Sequence, residues 1–442
     1  LAIDSVHLGA REAAEAIRSG KVSSRELIQA CLDRIDQFDK EIGAWVHLDA
    51  ELALEQARQA DESRRRGHAT GPLHGVPVGI KDIIDTFDLP TERGTALCAG
   101  RTPSKDAALV ATLREAGAII LGKTVTTELA VYTPGKTRNP HNLERTPGGS
   151  SSGSAAAVAA FMTPLSVGTQ TNGSVIRPAS FCGVYGFKPS FSRISRRGVL
   201  AQSRPLDTVG VFARNLDDLA LISDVLMVYD QDDPDMRPRA RPAISRTLAE
   251  PPPVEPRLAF VRTPAWDRAE QATKDAFREL IEHAGDRVEV VDLPPLFSKA
   301  LDDHKAIMEA DLAKSFASLY RRGAAKISKK LQGMIEQGQR VLATEYNEAV
   351  DRIQDYNTVL DEYFVDYDAL LTPSTPGEAP DISSTGDPVF CTIWTLCGTP
   401  ALNLPLLQGP AEMPLGAQLI GARGDDARLF RTARWLVERL DQ

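Results

Sequence analysis

The sequence predicts an α/β protein, and three observations carry that expectation. Helical stretches with one apolar face alternate with short, β-branched apolar runs along most of the chain, the pattern of helices layered on sheet strands. Two polar runs of Gly, Ser and Thr, at 148–154 and 168–178, break into otherwise apolar sequence. Hydrophobic residues make up 42% and charged residues 25% of 442 residues, a balance typical of a soluble globular chain. That length suits one large domain or two ordinary ones, and no internal repeat or low-complexity tract stands out.

Residues 1–70 read as N-terminal helices. Residues 10–18 form the first, which stops at Gly20. Ser23 with Glu26 three places later is a capping box that opens a helix over 24–38. There Leu27, Cys31, Ile35 and Phe38 recur at helical spacing. A third helix, 52–66, has a charged outer side.

The texture changes at 72, where a core of 72–229 begins. Residues 75–80 (Gly-Val-Pro-Val-Gly-Ile) read as a buried strand leading into Lys81. A helix at 107–116 and a strand at 119–121 follow. Irregular sequence over 132–149 feeds the first polar run, then a small-residue helix at 155–161 and a strand at 165–168. The second polar run reads as a loop, and 181–188 returns to the core.

Residues 230–256, rich in Asp, Pro and Arg, read as a surface linker. Strands are expected at 258–261 and 288–291. A block at 298–366 is largely helical, most clearly over 302–364. Strands at 369–371, 402–404 and 418–420 and a closing helix at 427–440 complete the chain.

Bulk chemistry excludes several functions. A formal net charge of -9, spread diffusely, repels phosphate backbones, so a nucleic-acid partner is not expected. Arg193, Arg196 and Arg197 form one basic cluster, read as a solvated loop or as internal ion pairs. Five cysteines, odd in number and without C-x-x-C spacing, argue against a disulfide framework and a zinc ribbon. No signal-peptide pattern opens the chain, and the longest low-charge stretch, 155–168, is too short to span a bilayer. A cytoplasmic protein without membrane contact is the expectation.

Three polar features carry the chemistry. Lys81, at the end of a buried strand, is either a snorkelling surface residue or a buried amine whose lowered pKa makes it a general base. Residues 148–154 place hydroxyls and free N–H groups at a helix start, either as caps through Ser152 or Ser154 or as reactive groups. The run 168–177 (Gly-Thr-Gln-Thr-Asn-Gly-Ser-Val-Ile-Arg) is either an ordinary loop or one where N–H groups converge around Ser174 as an oxyanion hole. Gly149-x-Ser151-x-Gly153 also fits a nucleophile elbow, but no strand precedes it. Its only downstream histidines, His283 and His304, lie in charged helical sequence.

Together these segments resemble the amidase-signature family. The run 148–189 looks like that family's signature, and similarity extends over 74–86, 122–128, 206–210 and 370–421, weakest between 230 and 364. The resemblance implies one α/β/α domain with a large mixed sheet covered by helices. It also implies a triad of Lys81 in its Gly-Ile-Lys-Asp context, Ser150 after a cis peptide bond, and the nucleophile Ser174. The N–H groups of Thr171, Asn172, Gly173 and Ser174 would hold the oxyanion, with Gly149 and Ser151 beside the substrate. Ser152 and Ser154 would support the relay or cap the helix, Asp82 would orient its loop, and Cys182 would pack. The scheme needs no metal and no organic cofactor.

Two departures bear on substrate. Asn172 stands where glycine is usual, tolerable if positive φ is required there, and its side chain would narrow the acyl pocket. Val175-Ile176-Arg177 is one residue longer than the common pattern and resembles malonamidase-type enzymes, which implies that Arg177 binds a substrate carboxylate; the alternative is pairing with an internal acid. The expected partner is a small-molecule amide. Urea-like or carbamoyl substrates of biuret or allophanate type, and the A subunit of a tRNA-dependent amidotransferase, are the alternatives; Gln170, where that subunit resembles Asp, and Arg177 count against the last. The 298–366 block is expected near the substrate entrance, and a homodimer is compatible with the sequence.

Overall fold

The apolar runs become the middle of one mixed sheet in a computed structural model that describes residues 5–68 and 70–440. Its strands are β1 Trp45–Leu48, β2 Pro77–Lys81, β3 Ile119–Thr124, β4 Leu165–Gln170, β5 Tyr185–Lys188, β6 Thr208–Ala213, β7 Leu258–Arg262, β8 Val288–Asp292, β9 Ala369–Pro373, β10 Ala401–Gln408 and β11 Pro414–Ile420. They lie in the order β1-β3-β2-β4-β6-β5-β10-β11-β9-β7-β8. The β3-β2-β4 and β8-β7-β9 neighbours are parallel and the other pairings antiparallel. Strands β2, β3, β4, β6 and β9 are buried at every position, whereas the edge strands β1 and β8 are largely uncovered. Continuous apolar sequence thus marks strands covered on both faces.

The helices are α1 Ala10–Ser19, α2 Ser24–Ile42, α3 Ala50–Arg65, α4 Ala108–Glu115, α5 Ser152–Ala159, α6 Ile176–Phe181, α7 Leu216–Leu226, α8 Ile244–Ala249, α9 Gln271–Ala284, α10 Ala300–Ser315, α11 Ala317–Gly323, α12 Lys329–Gly338, α13 Ala343–Asp366, α14 Val389–Leu396 and α15 Asp426–Leu440. Helix α5 covers β2, β3, β4 and β6 and α6 covers β5, β10 and β11, while α7, α8 and α15 pack on one another and on β4–β6, β10 and β11. The single α/β/α domain expected from the sequence is present.

Local chemistry explains where expectation and structure part. Helix α2 starts at the expected capping box, with Glu26 N donating to Ser23 Oγ at 3.1 Å, but runs four residues past Phe38. It stops only at Gly43, whose φ of 65° a side-chain-bearing residue rarely adopts. Helix α5 begins at Ser152, not Ala155, and neither Ser152 nor Ser154 caps it. The second polar run is less of a loop than expected: β4 continues through Gln170 and α6 starts at Ile176, leaving 171–175 between them. Pro178 obscured α6, yet a proline in a first turn loses no helical bond.

The 230–256 segment holds α8, whose Ile244 and Leu248 are buried, so it is strapped to the body rather than loose. Its acids also answer the basic cluster. Arg196 pairs with Asp235 and Arg197 with Asp230 (3.1 Å), while Arg193 lies 3.7 Å from Asp426. The internal ion-pair alternative therefore holds.

Candidate active site

Strand register builds the first half of the site. Ile80 on β2 lies opposite Val167 on β4, which carries the end of β2 beside Thr169. Lys81, the last residue of β2, is 0% exposed. Its Nζ sits 2.7 Å from Ser150 Oγ and 2.8 Å from Thr169 Oγ1, with no carboxylate among the described residues in ion-pair range. Burial pushes its pKa well below that of an ordinary lysine, opposed only by the more distant charge of Asp207. The buried-amine alternative is the one realised, and burial favours its uncharged form beside the Ser150 hydroxyl.

Ser150 follows a cis Gly149–Ser150 peptide bond, as the resemblance implies. The start of α5 is laced onto β4 through serine hydroxyls. Ser151 Oγ accepts from Thr169 N and donates to Thr169 O, both at 3.2 Å, and Ser154 Oγ donates to Val167 O at 3.0 Å. Gly168 permits this approach, since a Cβ there would lie 2.5 Å from Ser151 Oγ. Ser151 is fully buried, with its hydroxyl bonded to Thr169 of β4.

The loop between β4 and α6 supplies the second half. Ser174 is 8% exposed and faces a small cavity of about 10 Å3 with Tyr132, Asn172, Met308 and Leu312 on its walls. Its Oγ has no hydrogen-bond partner among the described residues, so Ser150 and Ser174 are not joined by a hydrogen bond. Catalytic hydrogen bonds are often long before substrate arrives.

Around Ser174 the backbone is arranged asymmetrically. Three successive carbonyls are occupied: Thr171 O accepts from His304 Nε2 (2.9 Å), Asn172 O from Thr395 Oγ1 (2.5 Å), and Gly173 O from Arg177 N (2.9 Å). The N–H groups of Thr171, Asn172, Gly173 and Ser174 donate to no acceptor among the described residues. Buried backbone donors are almost always paired, so four consecutive open ones are chemically able to receive a negatively charged oxygen. Gln170 keeps the next two donors out of this set, its Oε1 accepting from Val175 N (2.8 Å) and Ile176 N (3.0 Å).

Across residues 26–430 the chain matches the model of the Amidase family. The chain belongs to the amidase family. Among curated relatives, the A-chain component of the glutamyl-tRNA(Gln) amidotransferase of Chloroflexus aggregans is 35% identical, aligning 94% of this chain with 93% of that one. Its counterpart of the same name in Thermus thermophilus is 35% identical over 96% and 95%. In structure, a 6-aminohexanoate cyclic dimer hydrolase superposes with a TM-score of 0.87 at 26% identity, over 99% and 98% of the two chains. The peptide amidase from Stenotrophomonas maltophilia gives 0.85 at 26%, over 98% and 97%. A third structure, described as a vestigial protein complex revealing the origins of an s-triazine catabolic enzyme, gives 0.92 at 28%, over 98% of both chains.

On this amidase-family frame, two departures have structural answers. Asn172 is not in the positive-φ region, so the conformational reason for tolerating Asn does not apply. Its amide is instead a cross-brace, donating to Tyr132 Oη (2.9 Å) and accepting from Thr392 Oγ1 (2.8 Å). Gly173 is fixed by space: a Cβ would sit 2.9 Å from that of Pro388.

Arg177 is 1% exposed and pairs with no acid among the described residues. Its Nη1 donates to Gly386 O (2.8 Å) and its Nη2 to Gly149 O (2.7 Å), while Nε has no partner. The internal-acid alternative fails; the guanidinium braces the peptide that precedes Ser150. Asp82 orients its turn as expected, accepting from Glu92 N and lying 3.5 Å from Lys123 Nζ, and Cys182 is buried packing.

Sequence reasoning missed four participants. Thr169 is visible only through the β2–β4 register. Tyr132 falls in sequence that reads as irregular. Thr395 sits on α14, a run without helical periodicity because every position is buried. His304, which its sequence context places in a charged helix, is 1% exposed, and burial pushes its imidazole down to about 4. The available signal was its spacing from Met308 and Leu312, which puts all three on one face of α10.

Proposed function

We propose that this chain hydrolyses the C–N bond of a small carboxamide through an acyl-enzyme on Ser174. The carrying observation is the row of four open N–H groups at Ser174, near a buried lysine in contact with Ser150 whose pKa burial pushes down. Lys81 takes the Ser150 proton as Ser150 takes that of Ser174, and the freed oxygen attacks the carbonyl carbon. The carbonyl oxygen becomes an anion facing the open N–H groups, each well-placed donor worth about 3–4 kcal/mol in the transition state. Ser150 returns a proton to the leaving nitrogen, the amine or ammonia departs, and water releases the acid by the reverse relay.

The cavity favours a compact acyl group with a polar end. Val131, Met308 and Leu312 give apolar walls, and Tyr132 and Asn172 the polar side. The Arg177 guanidinium lies 5.9 Å from the centre of the Tyr132 ring with its Nε unused, which supports an amide bearing a carboxylate. Urea-like C–N bonds offer the same carbonyl to the same groups. A second reading has its own support: curated relatives matched along more than nine-tenths of their length are amidotransferase A subunits. Under it the same chemistry releases ammonia inside a complex.

The test is ammonia release from malonamate-like acids, neutral alkyl and aryl amides, and ureas, with wild type and Ser174→Ala in parallel. Release that vanishes in the variant is expected; release that survives overturns the nucleophile. Preference for the acids supports Arg177 as their partner, and preference for neutral amides rejects it. Copurifying subunits with glutamine-dependent release would favour the second reading.

A further inference from the structure

The three occupied carbonyls share their peptide units with three of the four open N–H groups around Ser174, those of Asn172, Gly173 and Ser174. In a trans peptide the C=O and N–H point in opposite directions across one plane. Whatever holds the Thr171 carbonyl therefore aims the Asn172 N–H, and whatever holds the Asn172 carbonyl aims the Gly173 N–H. The first holder is His304 Nε2, the second Thr395 Oγ1, and both are buried. Neither side chain is near enough to Ser174, Ser150 or Lys81 to hydrogen-bond any of them. We infer that His304 and Thr395 are positioning residues for the oxyanion site, which they set by anchoring the carbonyl faces of its peptides.

The donors are unambiguous. A carbonyl oxygen carries no proton, so His304 Nε2 must bear the hydrogen that lies between them. Thr395 Oγ1 accepts from Gln170 Nε2 at 2.9 Å, which leaves its own hydrogen for Asn172 O. The anchors come from two helices outside the signature run. Helix α10 carries His304 on the face that also presents Met308 and Leu312 to the cavity, and it is tied to the neighbouring loop by Ser315 Oγ donating to Gln202 O at 3.0 Å. Helix α14 carries Thr395 one turn beyond Thr392, which bonds the Asn172 side chain. The 298–366 block thus touches the Ser174 loop at the Thr171 carbonyl and lines its cavity with Met308 and Leu312.

This inference rests on Ser174 as nucleophile, and the experiment separates the two. His304→Phe and Thr395→Val keep bulk and remove the donor; His304→Gln and Thr395→Ser keep a donor. Each is assayed for kcat and KM on the best amide of the panel, and for inhibition by a boronic acid that adds to Ser174 as a tetrahedral anion. The apolar variants are expected to lose about 30-fold or more in kcat with KM within about threefold, and boronate affinity should fall in step. The donor-keeping variants are expected to recover most of the loss. A merely structural role would not weaken the tetrahedral inhibitor selectively. Where one apolar variant fails to fold, the other residue's pair decides. Apolar variants as fast as wild type overturn the inference, as do donor-keeping variants as slow as their apolar counterparts. Activity persisting in Ser174→Ala removes the underlying nucleophile; an inactive Ser174→Ala beside unaffected His304 and Thr395 variants removes this inference alone.

Discussion

Two lysines lie on adjacent strands of the same sheet, both fully buried, with opposite surroundings. Lys81 ends β2 facing hydroxyls, and Lys123 lies on β3 facing a carboxylate, Asp82, at 3.5 Å. Burial lowers both, but Asp82 pulls Lys123 back up to about 8 while nothing comparable acts on Lys81. The difference teaches that burial alone does not make a lysine a base. What frees the Lys81 lone pair is the absence of a counter-ion together with a serine hydroxyl within reach. Lys123, with Thr91 Oγ1 at 2.6 Å and Asp82 beside it, is a structural pair.

The largest effect should come from Lys81. Lys81→Met is expected to lower kcat by about 10³-fold or more with the fold retained, and Lys81→Arg should not rescue it, because a guanidinium stays protonated. Steady-state rates and a thermal melt check both statements. The pH dependence follows by sign. The active form is the neutral amine, so kcat/KM should rise with pH through the lowered Lys81 pKa and level off well below the usual lysine range. A rate still climbing at pH 10 would contradict this.

Lys123 should invert the pattern. Lys123→Met leaves the Asp82 carboxylate buried without its partner, expected to cost about 3–5 kcal/mol of stability with activity per folded molecule within about tenfold. Denaturant midpoints and active-site titration read the two separately, and a lysine whose loss abolished activity at unchanged stability would erase the contrast.

The smallest effect concerns Asp207. Thr171 Oγ1 lies 2.6 Å from both Gln202 Oε1 and Asp207 Oδ1, yet has one proton to give. Gln202 Nε2 donates to the Leu129 and Ala130 carbonyls, which fixes its oxygen toward Thr171. A protonated Asp207 completes the network, and burial raises that carboxyl to about 6. A carboxyl raised above its unfolded value of 3.8 contributes stability that is fully present below that value and lost as pH rises through about 6. Asp207→Asn, neutral throughout, should change kcat by less than about threefold and flatten the stability profile over that window. Melting curves at pH 4 and 7 for both proteins test it.

How far the sequence could be read follows the same division between reactive groups and their supports. Polar residues breaking apolar runs drew attention to Lys81 and to the two loops that hold Ser150 and Ser174, but only the family resemblance joined the three into one triad. The ends of the sheet order and the full extent of β4 were not, since pairing partners lie far apart in the chain. Helix α6 hid behind Pro178 and α14 behind its uniform burial. His304 and Thr395 act through backbone carbonyls, and a contact made to a carbonyl leaves no mark in the sequence of the segment that receives it. Arg177 was read by charge, whereas its partners are two glycine carbonyls.

The most direct test of the account is covalent: the enzyme is treated with a serine-directed fluorophosphonate, digested, and the label located by mass spectrometry while residual ammonia release is followed. One label per chain on Ser174, lost in step with activity and slowed in Lys81→Met, is the expected result. A label on another residue, or full activity in protein whose Ser174 is completely modified, would contradict it.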